Sequence, residues 1–283
     1  MSVRSLRWRV SSVLIAAGAT AATVLALAAP AGASTGTAEI SPEQAGYTAT
    51  GAQFETVAAS VFLRQPGQYA GQVASLGHSV QLWSDGLVVI LGVTASTSGS
   101  SYTTYATIYD RSTHQVIASN PNPQSCDEHG LCLPGPATLD PGVTISLAIF
   151  YNPQSGGLDL FESPKAVSGT SFNSEYTATG QSFTQARVGT EFGGSPWDGS
   201  YSYTPPAQPA KAAVFSDVSL ATYSQHVSTL QSWWTHHKLL ADTGQQSGSD
   251  RVAIPTDLTS GGANFQTWFV PRSGQGHARP VLH

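Results

Sequence analysis

The sequence is poor in charge and in cysteine. Lys, Arg, Asp and Glu make up 10% of the 283 residues, and the chain holds two cysteines and one methionine. The formal net charge is −5. An acidic chain with so few basic residues lacks the patch that binds phosphate backbones, so we expect no nucleic-acid partner. Beyond residue 33 no apolar run is long enough to span a membrane.

The N-terminus is typical of a secretory signal over residues 1–33. Three arginines precede an apolar stretch at 13–29, and small residues at 31–33 form a cleavage site. We therefore expect a secreted protein whose mature chain begins at Ser34 and does not associate with a membrane after cleavage. An uncleaved membrane anchor is the alternative, although the stretch is short and rich in alanine.

The two cysteines, Cys126 and Cys132, enclose a short acidic segment. In an exported chain a disulfide is the default expectation for such a pair. Closing so small a loop would contribute about 2 kcal/mol. A metal site that also uses His129 is the alternative; because no second ligand cluster has matching spacing, we expect neither a metal nor another cofactor.

The remaining chain reads as a flexible lead-in at 34–44, one domain at 45–270 and a loose tail at 271–283. Strand-like runs at 79–83 and 87–93 flank a Ser-Asp-Gly turn, which predicts a hairpin. Many short strands without alternating helices predict an all-β fold, an antiparallel β-sandwich. Further strands are predicted at 102–109, 116–118, 144–151, 158–161, 183–192, 213–215, 251–254 and 265–270.

One segment favours a helix instead of a strand. Between 229 and 241, Leu230, Trp233, Trp234 and His237 have the i, i+3, i+4, i+7 spacing of one helical face. We therefore predict a short helix there.

A pentapeptide, Tyr-Thr-Ala-Thr-Gly, occurs at 47–51 and again at 176–180, and a Phe follows three residues later in each copy. We interpret the pair as an internal duplication that begins two equivalent strands. One inserted residue in the second copy aligns Val57 with Arg187 and Val61 with Glu191. In that alignment an apolar strand face has been exchanged for a charged one.

Strand alternation over 183–192 predicts one polar face and one core face. The polar face carries Gln185, Arg187, Gly189 and Glu191. Because Gly189 has no side chain, this face offers open space between a guanidinium and a carboxylate. It is a candidate binding groove, and an ordinary solvent-facing sheet is the alternative.

The segment 185–191 resembles the strand that carries the catalytic glutamate in the glutamic peptidases, or eqolisins. Their motif is Ala-Glu-Trp-Ile-Val-Glu; Glu191 falls on the second Glu, and Arg187 replaces the first. The resemblance is collinear over roughly 45–270 and includes 84–86, 102–109, 140–142, 214–219 and 265–270. It implies a concanavalin A-like/jelly-roll sandwich and peptide-bond hydrolysis at acid pH, with Glu191 as the general base.

The resemblance also implies a partner amide that stabilises the oxyanion, and here the sequence departs from the family. Ile90 stands where the family has Gln, so Gln81 on the preceding strand is the candidate substitute. Losing one oxyanion donor typically costs about 100- to 1,000-fold in rate. The substrate-binding candidates are Asp85, Trp83, Tyr102, Tyr105 and Arg187.

Two other functions remain open at this point. A relative without chemistry would bind a peptide or a cell-surface polysaccharide through aromatic residues, Trp197 among them, and the missing Gln favours it. Glycoside hydrolysis would need a second carboxylate, Asp85 or Glu162, across a cleft from Glu191. In either case we expect a monomer.

Overall fold

Strands account for nearly all of the regular structure. The computed structural model describes residues 38–41, 44–65, 76–96, 100–119, 138–164, 172–192, 210–222, 227–230, 235–242 and 251–269. Within these ranges there is a 3-10 turn at Ser260–Gly262, and no helix that could cross a membrane. The strands are β1 Glu39–Ser41, β2 Gln44–Thr50, β3 Phe54–Phe62, β4 Leu76–Trp83, β5 Leu87–Ala95, β6 Tyr102–Asp110, β7 Val116–Ser119, β8 Thr138–Leu139, β9 Thr144–Asn152, β10 Gly157–Pro164, β11 Phe172–Thr177, β12 Gln185–Phe192, β13 Ala210–Thr222, β14 Val227–Ser228, β15 Thr235–Asp242, β16 Arg251–Pro255 and β17 Phe265–Phe269.

The strands form two antiparallel layers. The first has the order β1-β15-β2-β12-β4-β5-β6, with β7 and β8 both paired to β6. The second has the order β16-β17-β13-β3-β9-β10-β11, with β14 paired to β13. Within the part of the chain that the structure describes, only the β1–β15 pairing is parallel, and β15–β16 joins the layers at one edge. The predicted antiparallel β-sandwich is confirmed, as is the β4–β5 hairpin.

The core lies between the two layers. Alternate residues of β3 and β12 point into it, and Val57, Val61, Ala186 and Val188 are fully or almost fully buried. Burial of apolar side chains from both layers is the main force that holds them together.

A short polar chain crosses this interior from one layer to the other. The hydroxyl of Thr190 on β12 lies 3.1 Å from Nδ1 of His78 on β4 and 2.6 Å from the hydroxyl of Thr267 on β17. All three residues are completely buried.

Both copies of the pentapeptide lead from a strand into a turn, although the strand ends at Thr50 in the first copy and at Thr177 in the second. Each ends in a glycine with positive φ, 89° at Gly51 and 73° at Gly180, a conformation that glycine adopts without strain. A new strand follows each turn, β3 in one layer and β12 in the other. The copies meet where the Phe54 N–H donates a hydrogen bond of 2.7 Å to the Phe183 carbonyl.

The structure corrects the alignment of the two copies beyond that point. Val57 and Val61 face the core, whereas Arg187 and Glu191 lie on the opposite face of their layer and are partly exposed. An alignment without the inserted residue brings Val57 onto Ala186, and both are core residues. Because side chains alternate along a strand, one inserted residue exchanges the two faces. No apolar face was therefore exchanged for a charged one.

The predicted helix is wrong over its second half. Residues 235–242 form β15, in which Leu239 pairs with Gly46 of β2 and is completely buried. Pairing with β2 and with β1 outweighs the helical spacing, because it buries Leu239 and also satisfies the backbone between strands. The tryptophans at 233 and 234 lie outside the described residues.

Several other expectations also fall outside the described residues: the signal 1–33, the tail 271–283, Cys126 and Cys132, His129 and Trp197. The expected flexible lead-in contains β1, which pairs with β15, and β2 already begins at Gln44.

Candidate active site

The polar face of β12 continues onto its neighbour β4. Register places Arg187 opposite Gln81 and Glu191 opposite Gly77. Strand alternation then brings Ser79 to the same face, between Gln81 and Gly77. The side chains of two adjacent strands therefore converge on the outer face of the first layer.

The carboxylate of Glu191 is held by three hydrogen-bond donors. Its Oε1 accepts from the hydroxyl of Ser79 and from Nε2 of Gln81, and its Oε2 accepts from the hydroxyl of Tyr105. The structure thus brings together three of the predicted site residues, Glu191, Gln81 and Tyr105. Ser79 was missed, although its two-residue spacing from Gln81 was a signal that could have identified it.

Tyr105 reaches Glu191 across two intervening strands because glycines leave room for its ring. A Cβ on Gly92 of β5 would lie 3.0 Å from Cε1 of Tyr105, and one on Gly77 would lie 3.6 Å from its hydroxyl oxygen. Both distances show that the ring lies directly over the backbone of the intervening strands. Any larger residue at position 92 would occupy part of this space.

The amide of Gln81 has a fixed orientation. The indole N–H of Trp83 donates a hydrogen bond of 2.6 Å to Gln81 Oε1, which directs Nε2 toward Glu191 and places it 3.3 Å from Ser79 Oγ. The guanidinium of Arg187 lies 4.1 Å from the centre of the Trp83 ring, a cation–π contact. Trp83 therefore contacts Gln81, a donor to Glu191, and Arg187 contacts Trp83 in turn.

Burial dominates the electrostatics of the site. It raises the pKa of Glu191, while the hydrogen bonds from Ser79, Tyr105 and Gln81 and the charge of Arg187 lower it, and the pKa remains above its ordinary value. Burial, and then the negative charge of Glu191, hold the pKa of Tyr105 well above 10. The phenol therefore stays protonated and donates to the carboxylate.

Two predicted substrate-binding residues lie elsewhere. Tyr102 is on the core face of β6, is 1% exposed and donates its hydroxyl to the Arg64 carbonyl, so it is a core residue and not part of this face. Asp85 is exposed at the tip of the β4–β5 hairpin, 3.8 Å from Arg111. Ile90 is the cross-strand neighbour of Gln81 and is buried against Trp83.

Neither Glu162 nor Asp85 gives Glu191 the second carboxylate that glycoside hydrolysis needs. Glu162 is completely buried on β10, in the other layer, and its strand neighbour Leu147 is a core residue. Asp85 lies at the tip of the β4–β5 hairpin, beside Arg111. Across the described ranges no three His, Cys, Asp or Glu side chains group as metal ligands would.

Comparison with known proteins identifies one fold. No protein-family model matches the sequence, and no curated protein matches it significantly. Among solved structures, SCP-B, a member of the eqolisin family of peptidases solved with the tripeptide Ala-Ile-His, matches with a TM-score of 0.52 at 14% identity, over 81% of this chain and 98% of its own. The expected fold is confirmed: the chain has the fold of an eqolisin-family peptidase and is divergent from it in sequence.

Proposed function

We propose that this protein is an exported hydrolase of peptide bonds in which Glu191 is the general base. The observation that carries the proposal is the carboxylate of Glu191, which lies on the partly exposed outer face of an eqolisin-like sandwich and accepts hydrogen bonds from Ser79, Gln81 and Tyr105. A carboxylate with a raised pKa and an amide beside it are the groups that this chemistry needs.

In the proposed reaction the carboxylate of Glu191 takes a proton from water while the water oxygen bonds to the scissile carbonyl carbon. The carbonyl oxygen becomes an oxyanion, which needs an N–H donor. The carboxylic acid of Glu191 then gives its proton to the leaving nitrogen, and the C–N bond breaks. The products are a carboxylic acid and an amine, and Glu191 is again a carboxylate.

One observation favours a second candidate function, the binding of a peptide or polysaccharide without chemistry. Both oxygens of Glu191 already accept hydrogen bonds from the protein, which is also how a purely structural buried carboxylate is satisfied. Tyr105, which is half-buried on this face, would then serve as an aromatic contact, as is common in ligand sites, whereas Trp83 is only 4% exposed.

Hydrolysis of denatured casein between pH 2 and pH 8 separates the two functions. The wild-type protein should cleave casein, and Glu191→Gln, which keeps the shape of the side chain, should lose about 100-fold or more. Asp85→Asn is the matched control, because it removes an exposed carboxylate at the hairpin tip and should leave cleavage unchanged. Cleavage that survives in Glu191→Gln would exclude Glu191 as the base, and absence of cleavage in the wild type would favour binding.

A further inference from the structure

A second glutamine lies beside Glu191, on the side opposite Gln81. Gln44 is the first residue of β2, and the β2–β12 register places it directly opposite Glu191. Directly opposed residues of an antiparallel pair have Cβ atoms about 5 Å apart on one face. The Cγ of Gln44 lies 3.1 Å from the position of a Cβ on Gly189, so its side chain extends over that glycine on the site face.

The amide of Gln44 is buried and has unused hydrogen-bonding capacity. The residue is 1% exposed, and neither Oε1 nor Nε2 has a hydrogen-bond partner among the described residues. Buried amides are nearly always paired, because an unpaired one loses its hydration without compensation. The donor and the acceptor of Gln44 can therefore pair with a peptide group bound beside Glu191 without breaking any hydrogen bond within the described residues.

The amide of Gln81, unlike that of Gln44, already has a partner for each of its hydrogen-bonding groups. A primary amide has two N–H donors, and those of Gln81 are directed to Glu191 and to Ser79, while its oxygen accepts from Trp83. Donating to a substrate oxyanion would require Gln81 to give up its bond to Glu191 or its bond to Ser79, which itself donates to Glu191. Gln81 is therefore better suited to positioning Glu191 than to binding substrate.

We propose that Gln44 is the amide that binds the carbonyl oxygen of the scissile peptide and donates to the oxyanion, and that Gln81 is a positioning residue. This inference rests on the proposed peptidase function. As water adds to the carbonyl carbon and gives its proton to Glu191, the negative charge on the carbonyl oxygen is stabilised by the Gln44 N–H. That stabilisation is needed until the C–N bond breaks and the oxygen regains its double bond. Gln44 transfers no proton; it lowers the activation free energy by stabilising the oxyanion.

The test compares Gln44→Met with Gln81→Met in casein hydrolysis and in thermal unfolding. Methionine keeps the length of the side chain and removes its hydrogen bonds. Gln44→Met should lower kcat by about 100-fold or more, the loss typical of one oxyanion donor. It should leave the pH of the rising limb nearly unchanged, because Gln44 makes no hydrogen bond to the carboxylate of Glu191 or to its three donors. Its Tm should be equal to or above that of the wild type, since an unpaired buried amide has been removed.

Gln81→Met should behave differently in the same assays. Removing a donor to the carboxylate raises the pKa of Glu191, so the rising limb should move to higher pH. Gln154→Met, at an exposed turn position, is the control and should match the wild type in every assay.

Two results would overturn the assignment of Gln44. One is a Gln44→Met protein whose kcat lies within threefold of the wild type, and the other is an activity loss explained by a lower Tm. If the wild-type protein cleaves nothing, the peptidase proposal fails separately, and binding of fluorescein-labelled denatured casein decides the role of Gln44. Binding weakened at least fivefold in Gln44→Met would retain Gln44 as the amide that pairs with a peptide group, and equal binding would exclude it.

Discussion

At the scale of the residue, the site depends on how one carboxylate is satisfied. The carboxylate of Glu191 is largely desolvated, which favours its neutral form, yet it accepts hydrogen bonds from Ser79, Gln81 and Tyr105, which favour the ionised form. Burial outweighs the donors, so the pKa lies above 4.5. A base must be ionised to accept a proton, so we expect the rate of hydrolysis to rise with pH in a limb above 4.5 and not at strongly acid pH.

Replacing Tyr105 with Phe tests this balance. The substitution removes one donor to the carboxylate, so the pKa of Glu191 rises and the limb in a profile of kcat/KM against pH should move to higher pH. Tyr102→Phe is the matched control, because Tyr102 lies on the core face of the same strand and donates to a backbone carbonyl. It should leave the limb in place. A limb that does not move in Tyr105→Phe would show that another group controls the profile.

At the scale of the element, small residues decide how far a side chain can reach across a sheet. Tyr105 on β6 contacts Glu191 on β12 only because β5 and β4 present glycines beneath its ring. The glycines at 92 and 77 are therefore as much a part of the site as the polar side chains.

We predict that Gly92→Ala destabilises the protein and impairs the site together. Its Cβ would lie 2.6 Å from the His78 carbonyl oxygen and 3.0 Å from the Tyr105 ring, and backbone must move to relieve the first contact. We expect a loss of about 2 kcal/mol or more in urea unfolding and a shift of the pH limb like that of Tyr105→Phe.

Gly180→Ala is the contrasting control for that prediction. Its Cβ would contact nothing within 4 Å, so the only cost is that of a positive φ for alanine, about 1 kcal/mol. Activity should be retained. Equal stabilities for the two variants would contradict a steric role for Gly92.

The sequence predicts what depends on local pattern and fails where distant segments meet. Alternation along β12 correctly separated Arg187 and Glu191 from the core side, and the turn after Trp83 correctly predicted the hairpin. The helix at 229–241 failed because four large side chains at helical spacing are equally compatible with a strand, and only pairing with β2 decides between them.

The residues that make up the site are harder to predict from the sequence than the fold is. That Gln44 lies opposite Glu191 follows from the register of two strands about 140 residues apart in sequence, which no local pattern encodes. Tyr102 and Tyr105 are equally plausible aromatics in the sequence. They lie on opposite faces of β6, so Tyr102 belongs to the core and Tyr105 belongs to the site.

At the scale of the whole molecule, two buried ionisable side chains limit the pH range of stability from opposite sides. Burial raises the pKa of Glu162 to about 7 from 4.5, and burial lowers the pKa of His78 to about 3 from 6.5. The folded state thus holds Glu162 protonated and His78 neutral. The folded state loses stability when the pH favours the charged form of either side chain.

The two effects have opposite signs, so together they give a range of pH in which the free energy of unfolding changes little. The stability that protonated Glu162 contributes is complete below pH 4.5 and is lost as the pH rises to about 7, a difference of about 3 kcal/mol. The stability that neutral His78 contributes is complete above pH 6.5 and is lost as the pH falls to about 3, a difference of about 5 kcal/mol. Between pH 4.5 and 6.5 the two slopes have opposite sign and nearly cancel.

We therefore expect the free energy of unfolding to be nearly constant from about pH 4.5 to 6.5 and to fall below that range, with a smaller fall toward pH 7. Urea unfolding at half-unit intervals of pH measures it. Glu162→Gln, which cannot ionise, should leave only the His78 effect, so its stability should rise with pH from 4.5 to 6.5 and show no fall toward pH 7. A variant that keeps the wild-type plateau between pH 4.5 and 6.5 would exclude Glu162 as the cause.

The hydroxyl chain through the core has a consequence for how activity is lost on heating. Thr190, the residue next to Glu191, is bonded to His78 of its own layer and to Thr267 of the other. The two layers therefore share in fixing the backbone beside the carboxylate, and neither can slide without displacing it. Inactivation and global unfolding should then coincide in temperature, with no range in which the sandwich persists and the site has already come apart.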